Sequence, residues 1–294
     1  MITMSQAGSQ AGSAFILGSY VAGCLAQVER LPGVAESATA TAFLLQPGGK
    51  GFNMLAGLHR LGIATDGILP VGDDLWGRMT PALLGELRLP GHWLLALPGP
   101  SGGAVGFADA LGSSSLAVFC GANARLSAGH VEACASRISG AALLASAFEM
   151  SDDAILAAFR LARAGTTRTL LNPSPYRRID PRLLALTSLL VVNEVEAACL
   201  AAELGMEEGK TDDPASFLAL ARALQEKGVE TVIVTLGAAG AVAFASHDTP
   251  RFQPAFPVPV ADTTGAGDAF NAGLMAALLH GRPLAEALRQ AAAC

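Results

Sequence analysis

From residue 127 to residue 236 the chain alternates stretches of helical period with short apolar runs, and this alternation restricts its fold more than any other feature. The helix-period stretches are 127–136, 151–164, 194–204 and 214–227; the apolar runs are 141–145, 167–171, 188–192 and 231–236. Each run has the length of a strand and is bounded by Gly, Pro or Asn, the pattern of βαβ units around a parallel sheet. Asp152 and Asp153 suit the first turn of a helix, where a carboxylate meets the positive end of the helix dipole. Upstream, the apolar run 14–17 ends in Gly18-Ser19 and predicts a first strand. Two segments break the pattern. Residues 20–46 and 101–121 are rich in Gly, Ser and Thr and show no helical period. Within the second, 106–109 and 115–119 predict a strand pair around Gly112-Ser113-Ser114. Together they predict a small β layer attached to an α/β body spanning 14–294.

Composition excludes several classes. Hydrophobic residues make up 51% of the 294 and charged residues 15%, enough for a large core and incompatible with whole-chain disorder. No apolar stretch approaches the roughly 18 uninterrupted residues of a spanning helix, so a membrane location is not expected. The net charge is −6 with no basic run, which argues against nucleic acid as a partner. Five cysteines, an odd number with no C-x-x-C spacing, predict reduced and mostly buried thiols in a cytoplasmic protein. Residues 1–13 are rich in Ser, Gly, Ala and Gln and lack a cationic start, reading as a flexible tail instead of a signal peptide.

In an open parallel sheet, ligands gather beyond the carboxyl ends of the strands. Glu149, Asn172, Asn193 and Thr235 all fall at or just past such ends. Each alone suits a helix cap or a turn; together they imply a polar cleft along one edge of the sheet. Two apparent motifs do not fit their surroundings. Gly205 to Thr211 imitates a phosphate-binding loop but is one residue short between its glycines, follows a helix and carries two glutamates. Gly99-Pro100-Ser101-Gly102-Gly103 has the spacing of a hydrolase nucleophile elbow, yet a strand and not a helix follows it. The five histidines are scattered, with no metal-ligand spacing.

Two further motifs carry chemistry. Gly48-Gly49-Lys50-Gly51-Phe52-Asn53 leads into an apolar helical run. Its glycines let backbone N–H groups approach a ligand, and Asn53 can both donate to and accept from a hydroxyl. The same residues would also serve as a plain Gly-rich turn entering an amphipathic helix. The second motif runs from Asp262-Thr263-Thr264-Gly265-Ala266-Gly267-Asp268 to Gly273. Gly265, Ala266 and Gly267 at a helix start can form an anion hole for a phosphoryl group in transfer. Asp268 there can bind a hydroxyl and accept its proton, being ionised at neutral pH.

These two motifs, in this order and at this distance, resemble those of the ribokinase-like family of carbohydrate kinases. The resemblance extends from Gly18-Ser19 to the C-terminal helix. It includes Val71-Gly72-Asp73-Asp74, Gly121-Ala122-Asn123, Asn172-Pro173, Asn193-Glu194-Val195-Glu196 and Thr235-Leu236-Gly237. It implies a three-layer α/β/α sandwich with a mostly parallel central sheet and a β-sheet lid, the lid formed by about 20–46 and 101–121. It implies transfer of the γ-phosphoryl group of ATP to a hydroxymethyl group of a sugar, with Asp268 as base and Gly265, Ala266 and Gly267 as anion hole. Gly48, Gly49, Lys50, Asn53 and Glu149, with Asp268, would contact the sugar. Asn193 and Glu196 would organise Mg2+ and the phosphates, and Thr235 and Gly237 the nucleotide. Asp262 and Thr264 resemble part of a monovalent-cation site, which would take K+. An apolar lid face through Leu25, Val105, Phe107, Leu116 and Val118 predicts a homodimer packed lid to lid.

The chain also departs from the family. Gly23 stands where ribokinases carry a sugar-gripping acid, and Phe52 where a small residue is usual. Family members run on past the position of Cys294 by a further helix and loop. A ribonucleoside kinase of the same fold, or a catalytically weak ligand-binding relative, are the alternative readings. Ser101 as a hydrolase nucleophile is disfavoured by the missing helix.

Overall fold

The computed structural model describes residues 12–109, 114–246, 248–260 and 263–294. The central sheet has nine strands, in the order β13-β12-β11-β10-β9-β8-β1-β4-β5. From one edge these are β13 (Arg251–Pro254), β12 (Gly240–Ala245), β11 (Thr231–Thr235), β10 (Leu189–Asn193) and β9 (Arg168–Asn172), then β8 (Leu143–Ala147), β1 (Ala14–Leu17), β4 (Thr65–Val71) and β5 (Leu94–Ala96). The seven strands from β11 to β5 are parallel; β12 pairs antiparallel with β11, and β13 antiparallel with β12. The body begins at Gly12, whose N–H bonds to the carbonyl of Leu279, and residues 1–11 of the expected tail lie outside the described residues.

Strand alternation builds the three layers. Phe15 and Leu17 of β1 join Leu144, Leu171, Leu190 and Val232 in one core. That core is covered by Ile155 and Phe159 of α5 (Asp152–Ala164), Leu200 of α7 (Glu194–Glu203) and Leu224 of α8 (Leu218–Glu226). Ala14 and Ile16 point the other way, with Leu143, Leu170, Leu189 and Ile233. Against them pack Met54, Leu55 and Leu58 of α1 (Lys50–Arg60), Leu274 and Met275 of α9 (Ala266–Leu279) and Leu288 of α10 (Leu284–Ala293). Successive strand residues face opposite layers, so buried strands read as unbroken apolar runs. Phe52 belongs to this second core, 5% exposed, with its ring edge-on to Tyr20 at 6.0 Å.

The stretch 127–136 is not one helix. It divides into α3 (Ala128–Glu132) and α4 (Ala135–Ser139), with a tight turn between them in which the Cys134 N–H bonds to the Val131 carbonyl. The stretch 214–227 opens as a 3₁₀ turn at Pro214, which has no N–H to donate, and becomes α-helical only at Leu218. Two further elements complete the helices, α2 (Leu75–Glu86) after β4 and the single turn α6 (Pro181–Leu184) after β9. All five cysteines are free, but none is buried: Cys120 and Cys294 are exposed and the others half-buried, Cys24 on the lid, Cys134 in the turn between α3 and α4 and Cys199 within α7. Among the described residues no helix is long and apolar enough to cross a membrane.

The lid is a second sheet of four strands, in the order β3-β2-β6-β7: β3 (Ala40–Gly48), β2 (Val21–Val28), β6 (Gly103–Asp109) and β7 (Ser114–Phe119). Its register corrects the expectation of a single apolar face. Cys24 pairs with Leu45 and Val105, and Ala26 with Phe43 and Phe107. Leu25 pairs with Leu44 and Gly106, while Gly106 faces Leu116 and Ala104 faces Val118. Val105 and Phe107 therefore lie on one face, and Leu25, Leu116 and Val118 on the other. Both faces are apolar and open: Val105 is 60% exposed and Leu116 61%.

Candidate active site

Two helix N-termini meet at the carboxyl end of the sheet. The start of α1 is set by close backbone approach. Gly49 has a φ of 99°, and a Cβ on Gly51 would lie 2.0 Å from the Gly18 Cα. Only glycine permits that crossing. The start of α9 is Gly265, in the left-handed region at φ 78°. Farther along, Gly57 of α1 faces Ala272 of α9 so closely that a Cβ would come within 2.8 Å. This contact locks the two helices together and brings Asn53 to Asp268.

Asp268 is 4% exposed. The Asn53 Nδ2 donates to its Oδ2 at 2.8 Å, and the Lys50 Nζ lies 3.8 Å from its Oδ1. Oδ1 is buried and accepts no hydrogen bond from the protein. Burial pushes the Asp268 carboxyl above its ordinary value; Lys50 and the Asn53 hydrogen bond oppose the rise, while Glu149 and Glu196 add to it. Ahead of it the Ala266 N–H bonds back to the Thr263 carbonyl at 3.1 Å. The N–H groups of Gly267 and Asp268 belong to the helix's first turn, where no carbonyl within the helix can accept them. Gly267 is exposed, so this positive helix end opens to solvent.

Glu149 follows β8 and reaches across to β1 and α1. Its Oε2 accepts from the Lys50 N–H at 2.8 Å and from the Ser19 hydroxyl, whose oxygen accepts in turn from the Gly51 N–H at 3.2 Å. Gly48 ends β3 and leads directly into this corner. Asn193 and Glu196 lie at the end of β10 and form a reciprocal capping box. The Asn193 N–H donates to the Glu196 carboxylate at 2.9 Å, and the Glu196 N–H to the Asn193 Oδ1 at 2.8 Å. Thr235 ends β11 with its hydroxyl 3.4 Å from the Val192 carbonyl; Gly237, at φ 52°, is exposed beside it. Asn172 spends its amide on the Val191 carbonyl, cross-linking two strands.

Strands lie about 4.8 Å apart, so β8, which leads to Glu149, and β10, which ends in Asn193, lie two spacings or about 10 Å apart. Asp268 lies close enough to Glu149 on one side and Glu196 on the other to feel both charges. Asp262 lies outside the described residues; Thr264 is exposed just ahead of α9.

Sequence reasoning missed the clasps that hold the lid's base. Asn123 grips Tyr20 twice, its Oδ1 accepting from the backbone N–H at 3.0 Å and its Nδ2 donating to the carbonyl at 2.8 Å. Asp74 caps α2 through the Gly77 N–H and also accepts from the Ser101 N–H and hydroxyl, at 2.9 and 2.6 Å. Ser101 is 4% exposed and enters β6, so its hydroxyl serves this clasp and is no nucleophile. The landmarks Gly72-Asp73-Asp74 and Gly121-Ala122-Asn123 were legible as motifs, but their partners could not be read from spacing.

A family model described as pfkB family carbohydrate kinase matches residues 13–294. The chain belongs to that family. The kinase is 30% identical to a ribokinase of Haemophilus influenzae over 282 residues, which is 95% of this chain and 90% of the relative. It is 29% identical to a deoxyribokinase of Salmonella typhi, over 87% of this chain and 82% of the relative. Among solved structures, that of Arabidopsis thaliana ribokinase complexed with ribose and ATP superposes with a TM-score of 0.85 at 27% identity. The match covers 96% of this kinase and 91% of that chain. The fold is accordingly the ribokinase-like three-layer sandwich with a lid, and the enzyme is an ATP-dependent carbohydrate kinase.

Proposed function

We propose that this kinase phosphorylates the hydroxymethyl group of a small sugar and that Asp268 is its base. One observation carries the reading: a buried carboxylate stands at an open helix N-terminus, between the Gly49–Asn53–Glu149 corner and the Asn193–Glu196–Thr235 edge. An acceptor in that corner would be held by Asn53, Glu149 and the Gly48-Gly49-Lys50 backbone. Its hydroxyl oxygen attacks the γ-phosphorus of ATP while the proton passes to an Asp268 oxygen and ADP departs. The first-turn N–H groups of α9 meet the charge that develops on the phosphoryl oxygens. Reacting atoms must come within about 3–3.5 Å, which a carboxylate between the two ends of the cleft permits.

Among the described residues no cluster of three or more His, Cys, Asp or Glu could cage a metal. That suits Mg2+, which keeps waters and binds through phosphates with one or two carboxylates. Glu196, buried in its capping box with Asn193, is the carboxylate at the nucleotide end and would act on the ion indirectly; the ion, when bound, neutralises phosphate charge. K+ near Thr264 and Asp262 is the corresponding proposal for a monovalent cation. Gly23 offers no side chain to a sugar hydroxyl, which favours an acceptor other than ribose.

We propose further that two copies pair through their lids. We assign the pairing to the face of Cys24, Val105, Phe107, Phe43 and Leu45, an apolar surface suited to a second copy. ADP release measured with pentoses, deoxypentoses, hexoses and ribonucleosides tests the catalytic reading. Turnover with one sugar class supports it. Preference for nucleosides moves the acceptor to that class, and absence of turnover with all of them favours a ligand-binding protein.

A further inference from the structure

The loop carrying Glu149 has little backbone support of its own. Residues 148–151 lie between β8 and α5, and the Phe148 N–H bonds to the Ser174 carbonyl. Arg177, beyond β9, supplies further support. Its guanidinium donates to the carbonyls of Phe148 and Met150, the residues on either side of Glu149, the second at 2.8 Å. Its Nε donates to Asp152 at 2.9 Å, and its Cζ lies 4.2 Å from the centre of the Phe148 ring. Phe148 and Met150 are 3% and 4% exposed, so both flanks are packed as well as bonded. The rigid fork of arginine matches this task, because two carbonyls and a carboxylate are bonded from one plane.

We infer that Arg177 is a positioning residue for Glu149: it fixes the backbone on both sides so that the carboxylate meets the Lys50 N–H and the Ser19 hydroxyl. Arg177 touches neither end of the cleft in any contact described above. Its effect on acceptor binding rests on the proposed function, whereas its hold on Glu149 does not.

Two readouts separate these. Hydrogen exchange of the Lys50 amide, bonded to Glu149, reports the hold without any substrate. In Arg177→Gln that amide should exchange about tenfold faster, while amides inside α5 keep their protection. The KM for the acceptor should rise about tenfold, with the KM for ATP within about twofold, as for one weakened polar contact. Arg177→Lys keeps a cation for Asp152 but loses the fork, and should recover part of the protection; it also serves if the Gln variant does not fold. Unchanged Lys50 exchange, or full recovery by lysine, overturns the inference. Faster exchange with an unmoved acceptor KM upholds the grip on Glu149 and removes Glu149 from the acceptor contacts of the proposed function. If the native chain phosphorylates no sugar, the exchange experiment alone decides the role of Arg177 and only the functional reading falls.

Discussion

Asn53 and Asp268, 215 positions apart, share a hydrogen bond of 2.8 Å that joins the first turns of two helices. Asn53 is thereby both a candidate acceptor ligand and a partner of the candidate base. Its amide stabilises the ionised form of Asp268, along with the Lys50 ammonium, against burial that favours the protonated form.

Asp268→Asn should reduce turnover by about 10²–10⁴-fold, the usual contribution of a positioned base. Removing a buried charge should leave stability at neutral pH equal or higher. An aspartate whose folded pKa is raised binds protons more readily in the native state, so its ionisation opposes folding as pH rises through that window. Steady-state kinetics beside thermal unfolding at pH 5 and 8 check both parts. Near-native turnover would refute the assignment.

Lys50→Met should move the acid limb of the pH–rate profile to higher pH. Lys50 holds the Asp268 pKa down against burial, so its loss lets that pKa rise further. Asn53→Ala should shift the limb in the same direction and also raise the acceptor KM. An unmoved limb in both variants would show that Asp268 does not set the profile.

Gly51→Ala should be severely destabilising, because its Cβ would meet Gly18 at 2.0 Å and the end of β1 must part from α1. Gly85→Ala is the control. Nothing lies near its Cβ, and alanine in a helix gains about 0.5–1 kcal/mol over glycine. Urea unfolding of the two variants should shift in opposite directions.

Val105→Asp and Leu116→Asp distinguish the lid faces, since the register sets them on opposite sides. Light scattering should find the first variant monomeric and the second still paired, with the second weaker for the acceptor. A native chain that is monomeric at micromolar concentration removes the lid dimer.

What the sequence determined by itself was local or periodic. Apolar runs of strand length marked β8 to β11 to within two residues, because a buried strand needs little beyond length and boundary. The glycines at 49, 51 and 265 were legible as motif positions, whereas the crossing of Gly51 over Gly18 and the positive φ of Gly49 and Gly265 came from the structure. Tertiary structure decided what depends on distance across the chain. The pairing of Asn53 with Asp268 needs α1 and α9 packed at Gly57 and Ala272, which no spacing encodes. The two lid faces needed the register, since a shift of one residue exchanges every side chain between them. Clasps such as Asn123 on Tyr20, and Arg177 around Glu149, are bonds from side chains to distant backbone. Backbone carbonyls are the same in every residue, so the sequence carries no mark of which one a side chain will reach.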